Sequence, residues 1–429
     1  VAQPIAETIA APPRLGASRR RVAVAATFAL VLVVLLVSAL LLTAIGIPYA
    51  VAGGSALAKI HPATFLSLVV VLVWGWATGG IGRLFGRVAT RRPGLVAFGF
   101  GIALVLFQAA VVVKLPLAAT LDTFLLPLML YVAIAELDEA ERARLETLLH
   151  LIVAANSLMA LWEYAGGRRL TPMYEADGKL ITYEWRATAL FGHPLIDAYV
   201  TGNYIVALAF GAAPRLTLPW RFAAMGLASL SMIAFGGRVA MVLALVMVGI
   251  AAAIGLARLL IGGRFSIGHA IFAVAALSVA TIFVVIFVDG GGADRFLTRF
   301  SQDHGSAQTR LSMFRIFGDL TAEQFWLWPD PDVIAKAQRE YAIRLGIESS
   351  EVGFAAAYGI LVSAVFFASL AAFMREVVRE TSRDALWTVA YFVAVMSSSL
   401  GVAAKSSVLA MWVIFTLVLT PRRTTDVAG

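Results

Sequence analysis

The sequence predicts an all-α polytopic membrane protein with about twelve transmembrane helices. Three observations predict it. The 429 residues are 60% hydrophobic and only 14% charged, with a mean hydropathy of +0.87. A soluble chain is nearer 25% charged, so polar surface is too scarce to cover this one in water. The apolar residues fall in continuous runs of membrane length rather than the short alternating segments of a barrel, and a continuous run satisfies its backbone in hydrocarbon only as a helix. Arginine collects in the short connections between runs, the positive-inside pattern. The net charge of +8 therefore reflects topology, and nucleic acid is not an expected partner. Cysteine is absent, which excludes disulfides, thiolate metal sites and a cysteine nucleophile.

Residues 1–21 hold Arg14, Arg19, Arg20 and Arg21 and read as a cytoplasmic tail. The run Val22–Ile45 exceeds the ~7–15-residue core of a signal peptide and is expected as a retained first span running outward. Spans two to four are expected at Ala63–Gly80, Gly94–Val113 and Thr123–Leu137. Lys59 and His61 fall in an outer loop between spans one and two, and Arg83, Arg87, Arg91 and Arg92 in a basic inner turn. The next inner turn, Asp138–Arg144, is acidic, but acidic residues weigh little in orientation.

Span five, Leu148–Tyr164, leads to an outer loop at 166–186. Spans six and seven are expected at Pro194–Ala212 and Phe222–Phe235, span eight from the Gly236-Gly237-Arg238 turn inward to Arg258 and Arg264, and span nine at Ile267–Val288. Residues 289–349 form one large outer loop with short helices. Span ten follows at Val352–Phe373, and spans eleven and twelve lie within 385–420, divided near Ser397–Ser407. The chain thus divides into a tail (1–21), nine spans (22–288), the large loop (289–349), three spans (350–420) and a second tail (421–429), with both termini cytoplasmic. The spans read as nearly free of charge, and polar chemistry collects at the outer face.

Four groups of residues there carry chemistry. Arg186 precedes Gly192-His193-Pro194 at the start of span six. Glycine and proline shape a helix start, and free N–H groups at such a start favour anions, so Arg186 and His193 make a phosphate site there. Arg238 follows two glycines in an outer turn, against the positive-inside bias, which calls for a partner or a water-filled cavity. In the large loop, Ala307–Phe317 has apolar residues at 311, 314 and 317 and reads as an amphipathic surface helix presenting Arg310 and Arg315. Trp326 and Trp328 read as an interfacial turn. The loop closes on Glu348-Ser-Ser-Glu351, two carboxylates three residues apart at the mouth of span ten. Glu351 with the serines suits an N-cap, and Glu348 suits a general base. His150 and His269 read as structural hydrogen-bonding residues, and His304 as an alternative base. No spacing points to a metal, and no glycine loop points to ATP.

The series Arg186…Gly192-His193-Pro194, Gly237-Arg238, Arg310 and Glu348-Ser349…Gly359 resembles the O-antigen ligase and O-antigen/exopolysaccharide polymerase family of bacterial inner membranes, over roughly Leu148 to Gly359. The resemblance implies a metal-independent GT-C-type glycosyltransferase without cofactors. It would move a glycan from an undecaprenyl-diphosphate-linked donor to an acceptor hydroxyl at the periplasmic face. Arg238 and Arg310 then resemble the arginines that hold the diphosphate, with Arg186, His193, Arg315 and Glu351 around the substrate. Where ligases carry a histidine, this chain has Glu348, which is more similar to the polymerases; Gly237 also departs from the usual serine. The expectation is therefore a polymerase, with a ligase to lipid A core or another acceptor as the alternative and a lipid-linked oligosaccharide flippase or transporter as the second. Expected partners are the lipid-linked donor and acceptor and the bilayer, with chain-length regulators or export proteins as candidates.

Overall fold

The computed structural model describes residues 17–174, 178–181, 185–262, 312–341, 343, 347, 349–398 and 401–421. Its first half consists of α1 (Ala17–Leu36), α2 (Ala39–Ala44), α3 (Pro62–Ala77), α4 (Ile81–Arg91), α5 (Pro93–Val112), α6 (Ala118–Ala135), α7 (Glu139–Gly166), α8 (Pro194–Ala209), α9 (Leu218–Phe235) and α10 (Arg238–Leu260). After a 3-10 helix at Met313–Asp319 come α11 (Ala322–Trp326), α12 (Pro331–Glu340), α13 (Ser350–Tyr358), α14 (Ile360–Glu380), α15 (Ala385–Met396) and α16 (Val408–Leu419). Among the described residues there is no strand, only isolated bridges at Tyr174–Leu180 and Thr381–Pro421.

Among the described residues six helices are long and apolar enough to cross a membrane: α5, α6, α7, α9, α10 and α14. A seventh is reached if α3 and α4, bent by 98°, count as one span. Mid-helix side chains such as Leu151, Phe100 and Leu245 stand 63%, 66% and 73% exposed, an apolar surface that only lipid covers favourably. The described residues are thus helical without strands, and the protein is membrane-embedded.

Local breakers separate this pattern from the twelve uniform spans that hydropathy suggests. The first apolar run breaks at Val37–Ser38, where the Ser38 hydroxyl accepts the Leu41 N–H at 3.1 Å and caps α2. The expected tenth span is two helices, because Gly359 adopts φ +82° with the Trp326–Leu327 backbone pressed against it. α15 and α16 have 12 residues each. At 1.5 Å per residue each reaches about 18 Å, short of a ~30 Å hydrocarbon core. The expected basic inner turn is the helix α4. The expected ninth span, 267–288, lies outside the described residues.

α16 is the centre of the bundle, with every residue from Val408 to Leu419 buried. α5 and α14 pack closely because Gly94 lies under the Ala372 carbonyl and Gly101 against Ser369. Small residues permit such approach. Phe98 stacks on Phe373 at 4.6 Å alongside.

Charges gather at one end. Arg20 pairs with Glu141 and Asp138, Arg87 with Glu136 at 3.2 Å, Arg92 with Glu380 at 3.4 Å, and Arg215 with Glu139 and Glu146 at 2.9 Å each. This basic end also holds both ends of the described chain, since Arg20 lies in the network and Pro421 bridges to Thr381. α7 is 28 residues long, about 42 Å, so its last turn lies at the opposite end.

Candidate functional site

At that opposite end, the chain between α7 and α8 folds over the last turns of α7. Glu163, fully buried near the end of α7, makes this possible. Its carboxylate accepts the backbone N–H groups of Leu170, of Thr188 at 2.7 Å and of Ala189 at 3.1 Å. Buried charge needs such compensation, and a carboxylate taking several N–H bonds has it. Two turns earlier, the Asn156 side-chain oxygen accepts Leu190 N–H at 2.9 Å and Phe191 N–H at 3.3 Å. Arg169 braces the same loop from outside, donating to the Ile181 and Arg186 carbonyls at 2.9 Å each.

This loop delivers Arg186 and His193. His193 is the N-cap of α8, and its Nδ1 accepts the Leu195 N–H at 3.3 Å. A neutral ring accepting at Nδ1 carries its proton on Nε2. The His193 N–H in turn donates to Asp197 Oδ2 at 3.2 Å. Gly192, at φ +74°, lies so close to Ser38 that a methyl group there would overlap the serine hydroxyl.

The same corner receives Arg238. The Ala187 N–H donates to the Ala234 carbonyl at 3.0 Å, tying the residue after Arg186 to the end of α9. Gly236 turns the chain at φ +66°, and Gly237 packs on Ala198 in the first turns of α8, where a larger residue would collide. α10 starts at Arg238. The starts of α8 and α10 therefore meet beside Arg186, His193 and Arg238, all three half-buried. The dipoles of two helix N-termini and the two arginines favour an anion at this corner, with the buried Asp197 carboxyl beside them.

The other expected residues are placed differently. Glu351 is exposed in the first turn of α13, where Ser349 caps the helix by accepting the Val352 N–H at 3.3 Å. The Glu351 carboxylate accepts the Ser349 hydroxyl at 2.9 Å and the Ser397 hydroxyl at 2.6 Å, joining α13 to the end of α15. Arg315 is exposed on the 3-10 helix, which packs against α12 and α13. Of the surface helix expected at 307–317, residues 312–317 lie among the described residues. Met313 and Ile316 face inward, and Phe314 is 56% exposed, because the turn has the threefold repeat of a 3-10 helix. Trp326 and Trp328 are 52% and 42% exposed, as an interfacial turn requires. Arg310, Glu348, His269 and His304 lie outside the described residues.

α15 bridges the two groups. Its Tyr391 hydroxyl donates to the Ala240 carbonyl of α10 at 3.2 Å and presses on Gly202 of α8, while its end holds Ser397. Between α8, α15 and α16 lies a narrow apolar cleft of about 10 Å³, lined by Tyr199, Asn203, Tyr391, Met396, Met411 and Trp412 among others.

Two findings lie beyond the sequence reading, a polar node around buried carboxylates of α7 and α8 and another around Asp122. Glu163 and Asp197 are fully buried inside helices expected to be nearly free of charge. The Asn156 side chain lies beside the Asp197 carboxyl, yet Asn156 Nδ2 and Asp197 Oδ1 complete no hydrogen bond of good geometry. Further along α7 and α8, His150 Nδ1 meets the Tyr204 hydroxyl at 2.7 Å, as a structural histidine would. A second polar node forms at the same end around buried Asp122. It accepts the Tyr49 hydroxyl at 2.8 Å, the Thr64 hydroxyl at 2.7 Å and the His61 N–H at 3.0 Å. Lys405 lies 3.4 Å from the Tyr49 ring centre and donates to the Tyr49 and Lys59 carbonyls at 2.7 and 3.0 Å. An ionisable residue at the edge of an apolar run was the available signal for each. Among the described residues no cluster of histidines and carboxylates has the form of a metal site. A scan against family models finds none that matches the chain, and a search of curated proteins finds no relative.

Proposed function

We propose that the protein is a polysaccharide polymerase of the bacterial inner membrane, joining undecaprenyl-diphosphate-linked glycan units at the periplasmic face. The observation that carries this reading is the meeting of Arg186, His193 and Arg238 with the starts of α8 and α10 in one corner. A dianionic diphosphate suits that corner. In the reaction, the acceptor hydroxyl oxygen attacks the anomeric carbon and its proton passes to Glu348. The bond from that carbon to the diphosphate oxygen breaks, the electron pair leaves with the lipid diphosphate, and the anomeric configuration inverts. The arginines stabilise charge that grows on the leaving oxygen, the electrostatic contribution that dominates many such reactions.

The test is glycan lengthening by purified protein supplied with lipid-linked repeat units, without nucleotide and with a chelator present. Arg186→Ala and Arg238→Ala are expected to abolish it, and full activity in both overturns the assignment. Full activity in Glu348→Gln removes only the base. In the ligase alternative His304 or His193 is the base, and a deletion strain accumulates full-length lipid-linked polymer rather than single units.

The buried Glu163 and Asp197 favour a second reading, a lipid-linked oligosaccharide transporter, because intramembrane carboxylates mark transport pathways. Movement of labelled lipid-linked glycan across sealed vesicles, without lengthening, would select it.

A further inference from the structure

α4 takes no part in the corner described above. Its direction follows from Gly79 and Gly80, whose φ values of +84° and +134° turn the chain by 98° after α3. α4 therefore runs across the bundle at its basic end. At 100° per residue, Leu84, Val88, Ile81, Phe85 and Ala89 share one arc and Thr90, Arg83 and Arg87 share the opposite one, while Arg91, in the last turn, falls at the boundary about 20° from Leu84 and is exposed. Leu84 and Val88 are buried against the bundle, whereas Ile81 and Phe85 stand 40% and 43% exposed on the same arc. Next to the bend, Trp76 is 50% exposed and carries the Arg19 guanidinium 4.8 Å from its ring centre.

The charge balance at this end is uneven. Glu136 is engaged by Arg87 and Arg92, and Asp138 and Glu141 by Arg20. Among the described residues, Arg83 and Arg91 have no carboxylate within ion-pair distance. A basic arc opposite an outward apolar arc, on a helix lying across the bundle beside an exposed tryptophan, has the form of a helix embedded in the membrane surface.

We propose that α4 is a binding site for anionic phospholipid at the membrane surface. Arg83 and Arg91 hold the phosphodiester, whose oxygens match the guanidinium fork. The acyl chains lie along Ile81, Phe85 and Trp76. That apolar contact, continuous with the basic arc, selects a lipid headgroup over free phosphate.

The test uses the full chain, reconstituted with mixtures of phosphatidylglycerol and phosphatidylcholine, and measures retained lipid by native mass spectrometry. Phosphatidylglycerol is expected to be enriched. Arg83→Gln/Arg91→Gln should weaken its retention roughly tenfold or more, from two lost surface arginines. Arg375→Gln/Arg383→Gln, an equal charge change at exposed positions of the same end, should leave it unchanged. Circular dichroism and gel filtration establish that each variant is folded. An equal loss in both double variants, or no preference for phosphatidylglycerol, overturns the proposal. Displacement of the lipid by inorganic phosphate at matching concentration overturns the choice of lipid.

Discussion

Gly192 packs directly against Ser38, so the loop that carries Arg186 and His193 rests on the break in the first apolar run. Ser38 sits where α1 gives way to α2, and the Val37 carbonyl beside it lies 2.6 Å from His61 Nε2. One contact thereby couples the start of the chain, the first outer loop and the corner.

Gly192→Ala tests that contact. A methyl group overlaps the Ser38 side chain, and φ +74° is unfavourable for alanine. Overpacking of this kind costs about 1–3 kcal/mol. The apparent melting temperature in detergent is expected to fall, and Ser38→Gly in the same chain should restore part of the loss. Unchanged melting in Gly192→Ala would show that the loop does not rest on Ser38.

Glu163→Gln tests how the loop is held. A glutamine amide has one acceptor oxygen where the carboxylate has two, and its NH₂ group faces backbone donors. Losing charge-assisted bonds to a buried group costs about 1–3 kcal/mol. Faster hydrogen exchange is expected at Leu170, Thr188 and Ala189, together with reduced turnover. Exchange equal to wild type would place the carboxylate elsewhere.

Arg186→Lys and Arg238→Lys separate charge from geometry. Lysine keeps the charge but lacks the planar fork that grips two phosphate oxygens. Each variant is expected to lower turnover by about 10²–10³, in line with removal of one positioned donor. Wild-type rates in both would mean that the corner binds only through its net charge.

Lys405, in the connector between α15 and α16, gives a pH signature. Burial pushes its amine down to about 8, with Asp122 opposing the shift and Lys59 adding to it. An unfolded lysine keeps its proton to about pH 10.4. Between about pH 8 and 10.4 the unfolded chain binds the additional proton, so stability rises with pH in that window; below pH 8 the contribution is constant. Comparing thermal stability across the window, Lys405→Met should remove this rise. A slope identical in variant and wild type would assign it to another group.

The membrane class and the approximate position of most helices are legible in the sequence, because hydropathy and cap residues act locally. His193-Pro194 starts a helix, Ser349 caps another, and the division between the last two helices falls at Ser397–Ser407 as read. Helix length is less legible. A serine at position 38 or a glycine at 359 reads as part of an apolar run until a neighbour distant in the chain, Gly192 or Leu327, presses against it.

The corner belongs to the tertiary structure. Residue types nominated Arg186, His193 and Arg238 one by one, but their meeting depends on the Ala187–Ala234 hydrogen bond and the Gly237–Ala198 contact. Glu163, Asn156 and Asp197 are ordinary polar residues at the edges of apolar runs until the loop folds over them. The sequence by itself determined that this chain is helical and solvated by lipid, since those properties sum over residues. Which helices break, and which charges share a corner, only the packing of distant segments decided.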